Sequence, residues 1–212
     1  MYNCANCVLL GCYKNDMEKT LPNCPSKEEA IHSEAKKLYS QPENHKIAYN
    51  AALVEAQGYG KNTRIEEIIL FAKKCGYKKI GLAFCMGLIK EARIVQKIFE
   101  HHDFEMVSVL CKNGSIKKEF LDVKKEDTIE NNCDEIMCNP IGQALVLNKQ
   151  KTDFNIMLGL CVGHDTLVMK YLESPMTILA VKDRVTGHNP LAAVYLADGY
   201  YKKKLYGTDK PI

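Results

Sequence analysis

Four short apolar runs in this chain are each closed by a cysteine, at Cys85, Cys111, Cys138 and Cys161. From residue 79 onward the runs alternate with stretches of helical periodicity, and no other feature of the sequence restricts the fold as much. Residues 80–84 read as a strand, 88–101 as a helix and 104–110 as a second strand, which makes one βαβ unit. There follow a short strand near 135–137, a helix over 140–148, a strand over 154–160, a helix over 164–172 and a strand over 176–181. Asn189-Pro190 has the cap-then-proline form that opens one more helix. Continuous apolar strands separated by helices predict a parallel sheet covered on both faces. The expected fold class is α/β, a three-layer domain with a mostly parallel, Rossmann-like sheet.

The residues before 79 divide differently. Residues 1–25 form a cysteine-rich knuckle, and 26–78 a helical segment packed on the core of the α/β domain, which spans 79–212. Ser26-Lys27-Glu28-Glu29 has the pattern of a capping box, which opens a helix over 27–39 that ends before Pro42. A second helix over 43–57 carries Ile47, Ala51 and Val54 at helical spacing and stops at Gly58 and Gly60. Thr63 caps a third, with Ile65, Ile68, Ile69 and Ala72 inward, which ends at Gly76.

Ten cysteines in 212 residues are unusual for a chain whose start, Met1-Tyr2-Asn3-Cys4, has neither the basic nor the apolar region of a secretory signal. The expected location is therefore the cytoplasm, where thiols are kept reduced and serve as metal ligands or reactive groups rather than structural disulfides. Cys4-x2-Cys7-x4-Cys12-x11-Cys24 is the strongest local motif. A C-x2-C pair turns both sulfurs toward one point, and two further thiols can complete a tetrathiolate site. Zinc sites of this size usually show two C-x2-C pairs, whereas a run ending in Cys-Pro, as Cys24-Pro25 does, suits an iron–sulfur cluster. Both metals stay open.

The strand-end thiols are the second signal. Ligands of an open parallel sheet bind beyond the carboxyl ends of its strands, so Cys85, Cys111, Cys138 and Cys161 are expected to converge there and hold a second metal or cluster. The competing reading is packing, since cysteine is among the most buried small residues; Cys75 and Cys133 are read that way. Around the same edge, Gly163-His164-Asp165 starts a helix beside Cys161, where a thiolate is favoured. Lys182-Asp183-Arg184-Val185-Thr186-Gly187-His188-Asn189 is a loop able to hold a carboxylate or phosphate, with Arg184 as a bidentate donor and Asn189 capping the next helix. The candidate catalytic residues are Cys161, His164, Asp165, Lys182, Arg184 and His188.

Other classes are excluded. The net charge is +3 and no basic block is interleaved with aromatics, so nucleic acid is not an expected partner. No apolar run approaches the roughly 18–20 residues that cross a bilayer. Gly58-Tyr59-Gly60-Lys61-Asn62-Thr63 lacks the first glycine and the Ser/Thr after lysine of a phosphate loop, and no G-x-G-x-x-G follows the first strand.

These segments, together with Ala83-Phe84-Cys85-Met86-Gly87-Leu88, Lys90-Glu91-Ala92, Cys138-Asn139-Pro140 and Gln143-Ala144, make the chain resemble a family of cytosolic, uncharacterised metal-binding proteins, a domain of unknown function. The resemblance spans nearly the whole chain and implies metal binding but no reaction. One departure is Lys112-Asn113-Gly114, where the family leads one to expect a glycine-rich turn after Cys111. The functional expectation is a metal-binding (iron–sulfur or zinc) protein performing redox or metal-assisted chemistry on a small anionic molecule, with a redox partner protein. The alternatives are a zinc-stabilised binding module, and a thiol enzyme using Cys161 with His164 or His188.

Overall fold

The computed structural model describes residues 1–207. It divides into two compact units, Met1–Tyr59 and Gly60–Ile212. In the first, 3-10 turns at Cys4–Asn6, Met17–Lys19 and Pro25–Lys27 precede α1 (Glu29–Tyr39) and α2 (Pro42–Gly58), which pack on each other. The Ser26 capping box does not form. Pro25 fixes a tight turn through residue 27, so the helix starts after Glu28, with no side-chain cap.

The second unit runs α3 (Arg64–Lys74), β1 (Lys79–Phe84), α4 (Ile89–His101), β2 (Glu105–Leu110), α5 (Pro140–Lys149), β3 (Phe154–Leu158), α6 (His164–Tyr171), β4 (Met176–Ala180), α7 (Leu191–Tyr195) and α8 (Lys202–Tyr206). The four strands are all parallel, in the order β2-β1-β3-β4. The sheet is thus wholly parallel, and it is doubly wound: the chain steps outward one way from β1 and the other way from β3.

Strand alternation separates two cores. Ile80, Leu82, Phe84, Phe154, Ile156 and Leu158 meet Ile68, Ile69 and Ala72 of α3 and Val95 and Phe99 of α4. On the opposite face Ala83 and Met157 meet Leu147 of α5 and Val168 of α6. β1 and β3 are central and buried almost throughout, while β2 and β4 form the partly exposed edges. Gly81 makes the second core possible, since a Cβ there would stand 2.0 Å from Asn155 Oδ1 and 2.9 Å from Leu147 Cδ2. Thr63 opens α3, its backbone N–H donating to Glu66 Oε2 at 2.7 Å.

Two further sequence expectations need correction, and one element was not foreseen. Residues 135–137 make no strand of the sheet: a single antiparallel bridge joins Lys117 to Ile136, inside a long segment of turns between β2 and α5. Asn189 does not cap α7, because Pro190 occupies the N-cap position and no side chain caps it. The helix α8 was not expected, since Lys202-Lys203-Lys204 carries no apolar periodicity. No helix among the described residues is long and apolar enough to cross a membrane.

Candidate functional site: a thiol-lined crevice

β1 and β3 are neighbours, yet their connections leave in opposite directions, so the crevice beyond their carboxyl ends is the switch point where doubly wound sheets bind ligands. The sheet's hydrogen-bond ladder continues one residue past the strands into this crevice. Cys85 N donates to Leu158 O at 3.1 Å and Cys111 N to Phe84 O at 2.9 Å, so both cysteines leave their strands in register. Their side chains lie in the core shared with α5 and α6, where Cys138 precedes α5 and packs against them.

A polar lock sets Cys138 beside Cys111. Asn139 N donates to Cys111 O at 2.7 Å. The Asn113 amide donates to Leu110 O at 2.9 Å and to Asn139 O at 3.1 Å. Asn139 Oδ1 in turn accepts from Gly142 N at 2.8 Å and so caps α5. The asparagine that stands where a glycine-rich turn was expected is therefore the residue that joins the two cysteine turns. Gly142 has to stay small, because its Cβ would meet Asn139 Nδ2 at 2.3 Å and Asn113 Oδ1 at 2.4 Å. Gln143, fully buried one turn into α5, donates to Phe84 O and Val109 O at 3.1 and 2.7 Å and fastens the helix to the ends of β1 and β2.

The result is a hydrogen-bonded run Cys85, Cys111, Cys138, His164. Cys85 is pushed down to about 5, first by its hydrogen bond with Cys111, then by the Gly87 N–H and the Lys182 charge, against the opposing effect of burial. Cys138 is pushed down to about 4 by Cys111 first and His164 next, with Lys112 adding a positive charge nearby. Cys111 goes the other way: between two thiolates and out of water, it keeps its proton. Its sulfur also accepts from Met86 N at 3.3 Å. His164 is raised above its ordinary value, first by its hydrogen bond with Cys138, against the opposing effect of burial.

Cys161 stands apart from this run, its sulfur taking a hydrogen bond from Arg184 Nη2 at 3.2 Å. Lys182 follows β4, its N–H donating to Leu160 O at 3.0 Å. Its ammonium fits between two glycines: a Cβ on Gly87 or Gly159 would lie 3.5 or 3.6 Å from Lys182 Nζ. Gly159 is constrained twice over, by φ +65° and by Leu88 Cδ1, which a Cβ would meet at 2.1 Å.

Cys85 and Cys111 at strand ends, Cys138 in the turn before α5 and Cys161 beyond β3, with His164, Lys182 and Arg184, line one cavity of about 820 Å³. Its far wall is the segment between β2 and α5, which contributes Lys118, Asp127, Glu130 and Glu135. Lys118 Nζ pairs with the buried Glu135 carboxylate at 2.6 Å, and this hydrogen bond lowers Glu135 from its ordinary value. Lys112 Nζ reaches across to Ile136 O. This wall has no periodic pattern and was not legible in the sequence; Lys112, directly after Cys111, could have been picked out by position alone. Asp165 and His188 are not among the residues lining the cavity: Asp165 Oδ1 accepts from Thr166 N at 2.7 Å, and His188 Nδ1 from Asp183 N at 3.1 Å.

At the other end of the chain, Cys4, Cys7, Cys12 and Cys24 line a small cavity of about 20 Å³. Cys7 N donates to Cys4 O at 3.1 Å, closing the C-x2-C turn. Gly11 lets the chain fold back onto itself, since a Cβ there would meet Asp16 O at 2.4 Å and Lys19 O at 2.5 Å. All ten cysteines are free. Among the described residues, no group of three or more His, Cys, Asp or Glu side chains stands at ligating geometry, so an ion at either place would have to draw the donors inward.

Fold and crevice define a doubly wound, all-parallel α/β protein with a thiol- and cation-lined pocket at its switch point. The chain belongs to the family described as "Protein of unknown function (DUF1847)", whose model matches residues 24–179. It is 52% identical over 167 residues to "Uncharacterized protein MJ0455" of Methanocaldococcus jannaschii, which covers 79% of this chain and 83% of that one. No solved structure matches.

Proposed function

We propose that the crevice is a metal site for redox or metal-assisted chemistry on a small anionic substrate, in a reducing cytoplasm. The observation that carries this reading is the contiguous run Cys85, Cys111, Cys138 and His164 beside two cations in one cavity. Three soft donors and an imidazole suit zinc or iron, and the thiolate charge that burial disfavours is the charge a cation would neutralise. Cys85 and Cys138 already favour the thiolate, so a metal would displace the Cys111 proton and the proton that the Cys138 hydrogen bond favours on His164. Cys161, Lys182 and Arg184 then face the substrate, and the two cations hold its anionic group.

The four N-terminal thiols are a separate ligand set in this reading. A cavity of about 20 Å³ is close to the space of one water-sized sphere, which favours a single zinc ion there over a cluster of several irons.

The test uses the full chain with Cys4, Cys7, Cys12 and Cys24 all changed to Ser, prepared anaerobically, with metal and acid-labile sulfide measured per chain. About one equivalent of metal should remain. Cys85→Ser, Cys111→Ser or Cys138→Ser should each remove it, and any pair should do little more, because shared ligands are not additive. A folded parent protein that takes up no zinc or iron would overturn the crevice assignment. Labile sulfide and a broad visible absorption band would select a cluster over zinc.

A further inference from the structure

We infer that Cys111 and Cys138 form a reversible disulfide that switches the crevice off, with Cys138 as the sulfur attacked first by oxidant and Cys111 as the one that resolves it. The inference deepens the reading of the crevice as a working thiol centre, and adds its regulation.

Three thiols in contact could pair in more than one way, and their placement selects one. Cys85 and Cys111 are both buried, at 9% and 2% exposure, at the ends of neighbouring strands. Cys138 is partly exposed, lines the cavity and carries His164 as a hydrogen-bond partner, so an oxidant entering the cavity meets it first. Cys138 also lies outside the sheet, in the turn before α5, where its backbone can adjust to the specific geometry of an S–S bond more readily than a strand end. The Asn139 N to Cys111 O bond and the Asn113 lock hold the two turns together through that adjustment.

With a hydroperoxide as oxidant, the Cys138 sulfur attacks the outer oxygen. An S–O bond forms, the O–O bond breaks and the leaving oxygen departs as an alcohol, or as water from hydrogen peroxide. The Cys111 sulfur then attacks the Cys138 sulfur; the S–S bond forms, the S–O bond breaks, and the hydroxide leaves as water with the Cys111 proton. Two thiols are oxidised by two electrons in total and the peroxide is reduced by the same two. The bond removes two of the four donors at once, so a crevice metal would leave with it. A dithiol reductant restores both thiols by exchange.

The experiment treats the full chain, in a Cys133→Ser background, with hydrogen peroxide, blocks remaining thiols, and maps the linkage by mass spectrometry of tryptic peptides. The background is needed because Cys133 and Cys138 fall in the same tryptic peptide, residues 126–149, whereas Cys111 lies in 98–112 and Cys85 in 80–90. The expected product joins 98–112 to 126–149, disappears on reduction, and is lost in Cys138→Ser but kept in Cys85→Ser. An 85–111 linkage, or a Cys138 oxidised only to sulfinic acid, would overturn the inference. Metal measured before and after oxidation separates the two readings: a 111–138 bond in a chain that never held metal sinks the metal site and keeps the switch, while bound metal that survives peroxide with no linkage does the reverse.

Discussion

The two cysteine groups of this protein are equal in number and opposite in construction. Cys4, Cys7, Cys12 and Cys24 sit on turns whose backbone hydrogen bonds are short-range, and Gly11 is the one buried residue among the first 20. Cys85 and Cys111 extend two central or adjoining strands, and Cys138 and His164 are held by helices fastened to those strands. The first group has little apolar burial to fix its sulfurs, so an ion would have to supply the ordering energy. The second is positioned by the core whether or not anything is bound. Similar donors are thus held by local turns in one place and by the packed core in the other.

The largest effect should come from breaking the first group. In the fully loaded chain, Cys7→Ser should release the N-terminal ion and expose residues 1–25 to protease, since binding at such sites is on the order of 10 kcal/mol and doubles as folding energy. The unfolding transition of the sheet should stay within about 0.5 kcal/mol. Metal analysis and limited proteolysis check the two halves, and unchanged proteolysis would erase the contrast between the groups.

Gly159→Ala comes next, and tests the claim that the core builds the crevice. The residue would adopt a left-handed conformation at φ +65° and press its Cβ into Leu88. A cost of about 2–4 kcal/mol in chemical denaturation is expected, together with loss of any anion affinity that depends on Lys182.

A third test is acid–base. Relative to the ordinary 9.0, Cys85 and Cys138 are depressed to about 5 and about 4. A depressed acid contributes stability that is present above its unfolded pKa and is lost as pH falls toward the folded one. Cys111, raised, contributes stability that is intact below 9.0 and lost as pH rises above it. His164, raised from 6.5, contributes below 6.5 and loses that contribution as pH rises through its folded value, which opposes the thiols near neutrality. Reduced, metal-free protein should therefore gain stability between about pH 5 and 9 and lose it beyond. Cys111→Ala, which removes the donor, should flatten the profile and return both neighbours toward the ordinary range, because the Cys111 hydrogen bond is the largest cause of both depressions. Ultraviolet titration of thiolate measures this, and an unchanged low-pH thiolate in that variant would contradict the run of hydrogen bonds. The N-terminal thiols supply the comparison in the same titration.

The smallest effect is Arg184→Gln. Its guanidinium is exposed, so stability should move by no more than about 0.5 kcal/mol, while iodoacetamide labelling of Cys161 should change because its hydrogen-bond donor at 3.2 Å is gone.

The elements that the sequence revealed are those with enough buried apolar length. The runs that became β1 and β3 and the helices α3 to α6 were legible because strand-length apolar runs and helical periodicity report burial directly. The wall between β2 and α5 was not, because Asp127, Glu130 and Glu135 come together through turns and one ion pair rather than through any repeat. Its expected strand at 135–137 failed for the same reason: an isolated apolar pair with no neighbouring strand to bond leaves only a bridge.

By itself the sequence determined that Cys85 and Cys111 stand at the ends of strands, because a strand's end is a local matter of where apolar residues give way to turn formers; Cys138 follows no strand and Cys161 lies beyond the end of β3. Tertiary structure alone decided which thiol meets which partner. His164 follows Cys161 closely in the chain, yet the turn that carries His164 N to Cys161 O at 3.0 Å sends the two side chains apart, one to Cys138 and the other to Arg184. Cys111, distant from Cys138 in sequence, sits beside it because parallel pairing sets the end of β2 next to β1 and the Asn113–Asn139 lock brings the start of α5 to the same point. Register and helix docking are properties of the packed sheet, and no spacing along the chain encodes them.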